Sequence, residues 1–172
     1  MNKNDLSLLG KNFDGQTVLI TGHTGFKGSW LTAWLKQLGA KVVGIALDPP
    51  TEPSHFGAAQ MADEMTDLRI DVCNQVALEE AVISAQPDFV FHLAAQPLVR
   101  RSYDNPMETW QTNVLGTLHV LEALRWISIV RLLLSLVISA TTMWSGCGVI
   151  VRLTRWVVQT LTVHQKALLS WP

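Results

Sequence analysis

What this 172-residue chain lacks narrows what it can be. Two cysteines, Cys73 and Cys147, cannot build a disulfide framework, and their separation has no zinc-ligand spacing, so no metal site is expected. Charged residues make up only 16%, against an ordinary share of about 25%. A net charge of −1 gives no case for nucleic-acid binding. The opening stretch MNKNDLSLLGKNFDG contains no apolar run of signal-peptide length, and the expected setting is the reduced cytoplasm. Disorder is excluded by a 48% apolar fraction, ample for a buried core. The length fits one domain, or one large piece of a bigger one.

A further absence divides the chain. All 14 acidic residues lie between Asp5 and Glu122, and none follows. The first 122 residues carry 8 basic against 14 acidic groups, a balance of −6, while the last 50 carry +5. Four of the seven Trp also fall in those last 50. A solvated protein surface mixes both signs. The two parts are therefore read separately, as 1–126 and 127–172.

The first part alternates strand and helix. Gln16 to Thr21 (QTVLIT) is a short β-rich run. Ser29 to Leu38 has helical periodicity, with Leu31, Trp34, Leu35 and Leu38 on one stripe and Gly39 where a C-cap belongs. Lys41 to Leu47 is a second strand, ended by Asp48 and Pro49-Pro50. A third strand falls within Thr66 to Val72. Gln75 to Gln86 is a helix with Val76, Leu78, Val82 and Ile83 inward, Asp88 to Leu93 a fourth strand, and Met107 to Leu124 a long helix. Glu52 to Met65 fits a loop with a short helix. This order predicts an α/β fold with a parallel sheet and right-handed crossovers.

Between the first strand and the first helix stands Gly22-His-Thr-Gly25-Phe-Lys-Gly28. In such a loop the first glycine allows the tight turn, the second lets backbone approach a pyrophosphate, and the third lets helix and strand pack closely. The helix N-terminus then offers N–H groups and partial positive charge to phosphates. Asp48 follows 20 residues after Gly28, placed to accept hydrogen bonds from ribose hydroxyls, which favours NAD over NADP. A glycine pattern alone also fits an ordinary turn; strand before, helix after and acid at this distance make it a nucleotide site. Lys27 fits either a phosphate partner or a solvated charge. His23 reads as a turn residue, and His92 and His119 as structural.

These residues carry a family resemblance. GHTGFKGSWL resembles the start of the extended short-chain dehydrogenase/reductases, and within them the CDP-glucose 4,6-dehydratases. Phe91-His92-Leu93-Ala94-Ala95-Gln96-Pro97-Leu98-Val99-Arg100 resembles their fourth-strand segment, and Asn113-Val-Leu-Gly116-Thr their N-V-x-G-T helix motif. Asp71-Val72 matches the pair that contacts adenine, although the family's later acid is Asn74 here. The likeness runs from about Phe13 to about Leu124. It implies a Rossmann-like, doubly wound parallel sheet, incomplete at this length. It implies that Gly22, Gly25 and Gly28 cradle a pyrophosphate with Thr24, Phe26 and Lys27 around it. Asp48 would hold the ribose, Asp71 and Val72 frame the adenine, and Leu93, Ala94, Ala95 and Gln96 line the way to the nicotinamide. Asn113 would stabilise the strand that bears the catalytic residues. Gln96 and Arg100 would approach the sugar nucleotide, CDP-glucose in the family, which supplies dideoxyhexoses for lipopolysaccharide O-antigen. Leu93 and the two alanines also fit simple core packing.

The second part departs from that family. A fifth strand carrying Thr-Ser-Asp-Lys and a Tyr-x-x-x-Lys helix should follow. There the Tyr acts as base toward the sugar 4-hydroxyl, with its pKa lowered by the neighbouring Lys. The one Tyr here, Tyr103, is not in that motif, so no catalytic residue is assigned. The genetic code suggests why. Moved back one base, the codons of Leu136 to Met143 permit Ser-Asp-Lys-Cys-Tyr-Asp-Asn. Those of Gln159 to Ala167 permit Asp-Pro-Tyr-Ser-x-Ser-Lys-Gly, its Tyr straddling Leu161 and Thr162. A reading-frame shift near Trp126 to Val130 is the expectation, against a divergent natural tail. It leaves a stump of four strands with an open edge. Family dimers form near the Tyr-Lys motif, so a homodimer is doubtful here.

Three readings stay open. The chain is an inactive NAD-binding fragment of a CDP-glucose 4,6-dehydratase or of another sugar-nucleotide epimerase/dehydratase, a non-catalytic nucleotide-binding module with a natural tail, or a membrane-anchored protein. Leu132 to Val151 has the length of a span and no charge, but holds three Ser, two Thr and two Gly, so no membrane is expected.

Overall fold

In a computed structural model, residues 10–127 and 131–134 are described. Five parallel strands form one sheet: β1 (Thr17–Thr21), β2 (Lys41–Ala46), β3 (Thr66–Arg69), β4 (Phe89–His92) and β5 (Arg131–Leu134). Their order is β3-β2-β1-β4-β5, with the chain reversing direction across the sheet between β1 and β4. This is the Rossmann-like arrangement, in which ligands bind beyond the carboxyl ends of the strands at that switch.

The helices are α1 (Phe26–Gln37), α2 (His55–Ala58), α3 (Gln75–Ala85), α4 (Val99–Asp104), α5 (Pro106–Trp110) and α6 (Gly116–Leu124). Met61–Glu64 is a 3₁₀ turn, and Gln111–Leu115 is a π turn that joins α5 to α6. Side chains alternate across β1, so Val18 and Ile20 pack on one face with Leu35 and Val42, while Leu19 packs on the other with Leu78, Val82, Val90 and Val120. Helices on both faces explain why β1 and β4 read as nearly continuous apolar runs.

The helix faces differ from the sequence expectation. Gly28, Ser29, Thr32 and Leu35 form the buried side of α1, while Trp34 is exposed. The helix packs so closely on the glycine loop that only small residues fit there. On α3 the buried residues are Leu78, Ala81 and Val82, with Val76 and Ile83 exposed. The expected long helix from Met107 is interrupted by the π turn, and α4 went unpredicted because Pro97 and Pro106 bracket only six helical residues.

The expectation of four strands is corrected. Arg131–Leu134 pairs in parallel with β4, Phe89 opposite Arg131 and His92 opposite Leu134. The sheet therefore continues past residue 126, where the sequence reading ended its first part. A run of four residues rich in leucine suffices to pair beside an apolar neighbour. The rest of the tail lies outside the described residues.

Candidate functional site

At the end of β1 the chain turns through Gly22, whose φ of +76° is left-handed. A β-carbon on Gly22 would stand 2.7 Å from the Ala94 nitrogen, and one on Gly28 would overlap the Gly22 carbonyl oxygen. The loop is thus pressed against both the end of β4 and the first turn of α1. Gly22 N–H donates to the Ile45 carbonyl at 2.8 Å, and Gly25 N–H to the Gly22 carbonyl at 3.1 Å. The N-cap of α1 is Gly25, with no side chain to satisfy the first N–H groups and no acid in the first turn. These donors are left for an anion.

The loop forms one wall of a cavity of about 670 Å³. That is an ordinary size for a small-molecule or cofactor site. Gly22, Thr24, Gly25, Phe26, Lys27 and Gly28 line it on this side. Asp48 at the end of β2, and Asp71 and Val72 after β3, line a second side. Leu93, Ala94, Ala95 and Gln96, after β4, line the third. The structure therefore brings thirteen of the sequence-predicted residues to one cavity. Asn113 is not in the lining. It stands behind Gln96, accepting from the Gln96 N–H at 2.8 Å and donating to its carbonyl at 3.1 Å. Arg100 is exposed and also outside the lining; its neighbour Arg101 lines the cavity instead and is held by Glu108. One helical step decides which of two adjacent arginines faces inward, and the six-residue helix gives no periodicity from which to read it.

Sequence reasoning also missed Ala46, Leu47, Pro50, Thr51, Ile70, Pro97, Leu98, Glu108 and Thr112. Thr112 comes from the π turn, which no residue pattern announces. Asp71 has one oxygen tied to the Cys73 N–H at 2.8 Å. Burial, with help from Asp71, raises the Cys73 thiol pKa. Asn74 caps α3 by accepting from the Ala77 N–H. Among the described residues no group of three His, Cys, Asp or Glu is placed to hold a metal.

Three of the five histidines, those singled out in the sequence, have structural partners. His92 lies between the Thr21 and Thr117 hydroxyls, at 2.6 and 3.0 Å, and burial lowers its pKa to about 4. His119 Nδ1 meets the Val72 carbonyl at 3.0 Å. His23 is fully buried, with Nε2 2.8 Å from Asp67. Its pKa is lowered by burial, which outweighs the opposing pull of Asp67.

The sequence matches the model of the GDP-mannose 4,6 dehydratase family over residues 19–143. The chain belongs to that family. The match reaches 17 residues past 126 and takes in β5. The chain is 46% identical over 125 residues to a CDP-glucose 4,6-dehydratase of Salmonella typhimurium, covering 72% of this chain and 35% of that protein. A dTDP-glucose 4,6-dehydratase of Neisseria meningitidis is 32% identical over 114 residues, covering 63% and 31%. The chain thus spans about a third of the length of these curated relatives. An epimerase structure from Methanothermobacter thermautotrophicus aligns with a TM-score of 0.66 at 30% identity, over 83% of this chain and 39% of that one. A UDP-glucose 4-epimerase from Thermus thermophilus, solved with NAD, aligns at 0.57 and 30% identity, over 67% and 36%.

Proposed function

We propose that this chain is the NAD-binding portion of a sugar-nucleotide 4,6-dehydratase acting on CDP-glucose, and that the 172 residues bind the cofactor without turning over substrate. The observation that carries the reading is the uncapped glycine loop opposite Asp48 and Asp71 in one cavity. The residues fit the group. Removing the β-carbons at Gly22 and Gly28 makes the cradle, and the free N–H groups of α1 face the diphosphate. Asp48 accepts the ribose hydroxyls, while Asp71 and Val72 hold the adenine edge. Leu93 to Gln96 form an apolar floor toward the nicotinamide and exclude water from it. Asn113 fixes that floor through both backbone groups of Gln96. NAD, when bound, supplies the hydride acceptor for oxidation at the sugar C4. Gln96 and Arg101, rather than Arg100, meet the sugar nucleotide in this reading.

No Tyr-x-x-x-Lys spacing occurs in the chain, so no group here takes the proton of the 4-hydroxyl. We attribute this to a change of reading frame near 126–130, after which the tail carries no acid at all. The setting we propose is cytoplasmic; among the described residues no helix is long and apolar enough to cross a membrane. Calorimetric titration of the full chain with NAD, followed by incubation with CDP-glucose, tests the reading. Binding without formation of a 4-keto sugar is expected. A natively folded chain that ignores NAD refutes the site, and turnover of CDP-glucose refutes the inactivity. The gene sequence across codons 120 to 172 tests the frame change, which fails if the −1 frame does not encode the Tyr and Lys.

A further inference from the structure

We propose that Arg69 determines specificity at the adenosine-ribose end of the cavity: it is the ion-pair neighbour of the Asp48 carboxylate, and it is placed to receive a ribose 2′-phosphate once that carboxylate is removed. This rests on the nucleotide-site reading above.

Arg69 is the last residue of β3, in register with Ala46 at the end of β2. Its guanidinium makes three polar approaches. Nη2 donates to Asp67 at 2.7 Å, Nη1 donates to the Leu47 carbonyl at 3.0 Å, and Nε stands 3.8 Å from Asp48. The same Leu47 carbonyl accepts the Thr24 hydroxyl at 2.9 Å, so it is gripped from the glycine loop and from β3 at once. Asp67 is itself anchored by the buried His23 at 2.8 Å, and the guanidinium lies over the Phe56 ring at 5.2 Å. These contacts hold the arginine in place and leave Asp48 the loose member, with a side chain 91% exposed.

The distance to Asp48 is that of an ion pair and is too long for a hydrogen bond. Of five guanidinium N–H groups, two are therefore used among the described residues and three remain to be offered. Leu47 and Asp48 line the cavity, and Arg69, itself outside the lining, contacts both of them. With the carboxylate present, ribose hydroxyls have an acceptor and a 2′-phosphate meets a like charge. Without it, that phosphate meets a braced fork suited to two parallel hydrogen bonds. A solvated surface arginine with no role in the site would affect both dinucleotides equally.

The test is the ratio of NADP to NAD affinity, measured by calorimetry on the full chain and its variants. The unaltered chain should prefer NAD. Asp48→Ser should raise the ratio by roughly 10- to 100-fold, the scale of hydrogen bonds to a charged group. Adding Arg69→Met should remove most of that rise, and Arg69→Lys should remove part of it. Loosening of the fold weakens both ligands and leaves the ratio alone. Should the Met variant fail to fold, Arg69→Gln retains donors without the charge and should behave likewise. Equal ratios in Asp48→Ser with and without Arg69 overturn the proposal, as does an Asp48→Ser ratio that does not rise. A folded, unaltered chain that binds neither dinucleotide refutes the nucleotide site itself, and the proposal with it.

Discussion

Acidification should destabilise this fold through His92, by an amount the structure allows to be worked out. The ring is buried at the end of β4 between two threonines. Thr21 Oγ1 already accepts the N–H groups of Leu93 and Ala94, each at 3.2 Å. Its own proton is then directed at His92 Nδ1, so the ring proton sits on Nε2 and is donated to Thr117. Thr117 in turn donates to the Asn113 carbonyl at 2.7 Å. A proton on Nδ1 has no acceptor in this chain of bonds. Burial accordingly lowers the His92 pKa from 6.5 to about 4. Above pH 6.5 the ring is neutral folded or unfolded, and it contributes no pH dependence. Between 6.5 and 4 the unfolded chain is protonated and the folded chain is not, so stability falls as pH falls. Below 4 both forms are protonated and the dependence flattens. From pH 7.5 to 4.5 the loss is about 2.5 kcal/mol, taking about 1.36 kcal/mol per pH unit. His23 titrates in the same direction, so the total slope alone does not isolate His92. The assay is urea unfolding by circular dichroism at several pH values, on the unaltered chain and on His92→Gln. At pH 7.5 the variant should be less stable by about 1–3 kcal/mol, from broken hydrogen bonds. By pH 4.5 that gap should close by about 2–3 kcal/mol. A gap that stays constant across the range refutes the reasoning.

Gly28→Ala should cost about 1–3 kcal/mol of stability, because its β-carbon collides with the Gly22 carbonyl and the loop must shift; NAD affinity measured by calorimetry should fall at least about tenfold. Asn113→Leu strands both backbone groups of Gln96 and should lower unfolding free energy by about 2–4 kcal/mol. Asn113→Asp keeps the acceptor and should lose about half as much, read in the same urea titration. Arg101→Leu should weaken CDP-glucose binding in the NAD-loaded chain, while Arg100→Leu should not, since only Arg101 lines the cavity; equal effects in a binding titration would contradict that assignment.

The sequence was informative where backbone chemistry leaves a residue signature. The glycine spacing, the acid at the end of the second strand and the proline stop mark positions that few other residues can occupy; the glycines and the acid line one cavity, and the prolines follow the end of β2. Amphipathic faces were less legible. The buried side of α1 is built from Gly28, Ser29 and Thr32, small residues that mark close approach rather than apolar content. A hydrophobic stripe therefore places Leu31 and Leu35 correctly against the core but also puts Trp34 inward, where the structure exposes it. Arg101 was hidden for a different reason, because α4 is too short to have a stripe.

The pairing of Arg69 with Asp48 illustrates a third kind of limit. Asp48 was found because it ends its strand at a telling distance from the glycines. Arg69 has no such mark in the sequence. It is brought beside Asp48 only by the pairing of β3 with β2, 21 residues later in the chain. The tail illustrates the converse. Its lack of acid sets it apart from the first part of the chain, yet Arg131–Leu134 pairs with β4 all the same. An edge strand needs extended apolar residues and free backbone donors, and many sequences provide both. A catalytic helix needs a Tyr and a Lys one turn apart, aimed at one atom. Pairing therefore asks less of a sequence than chemistry does, and a chain can extend its sheet without supplying the Tyr and Lys of an active site.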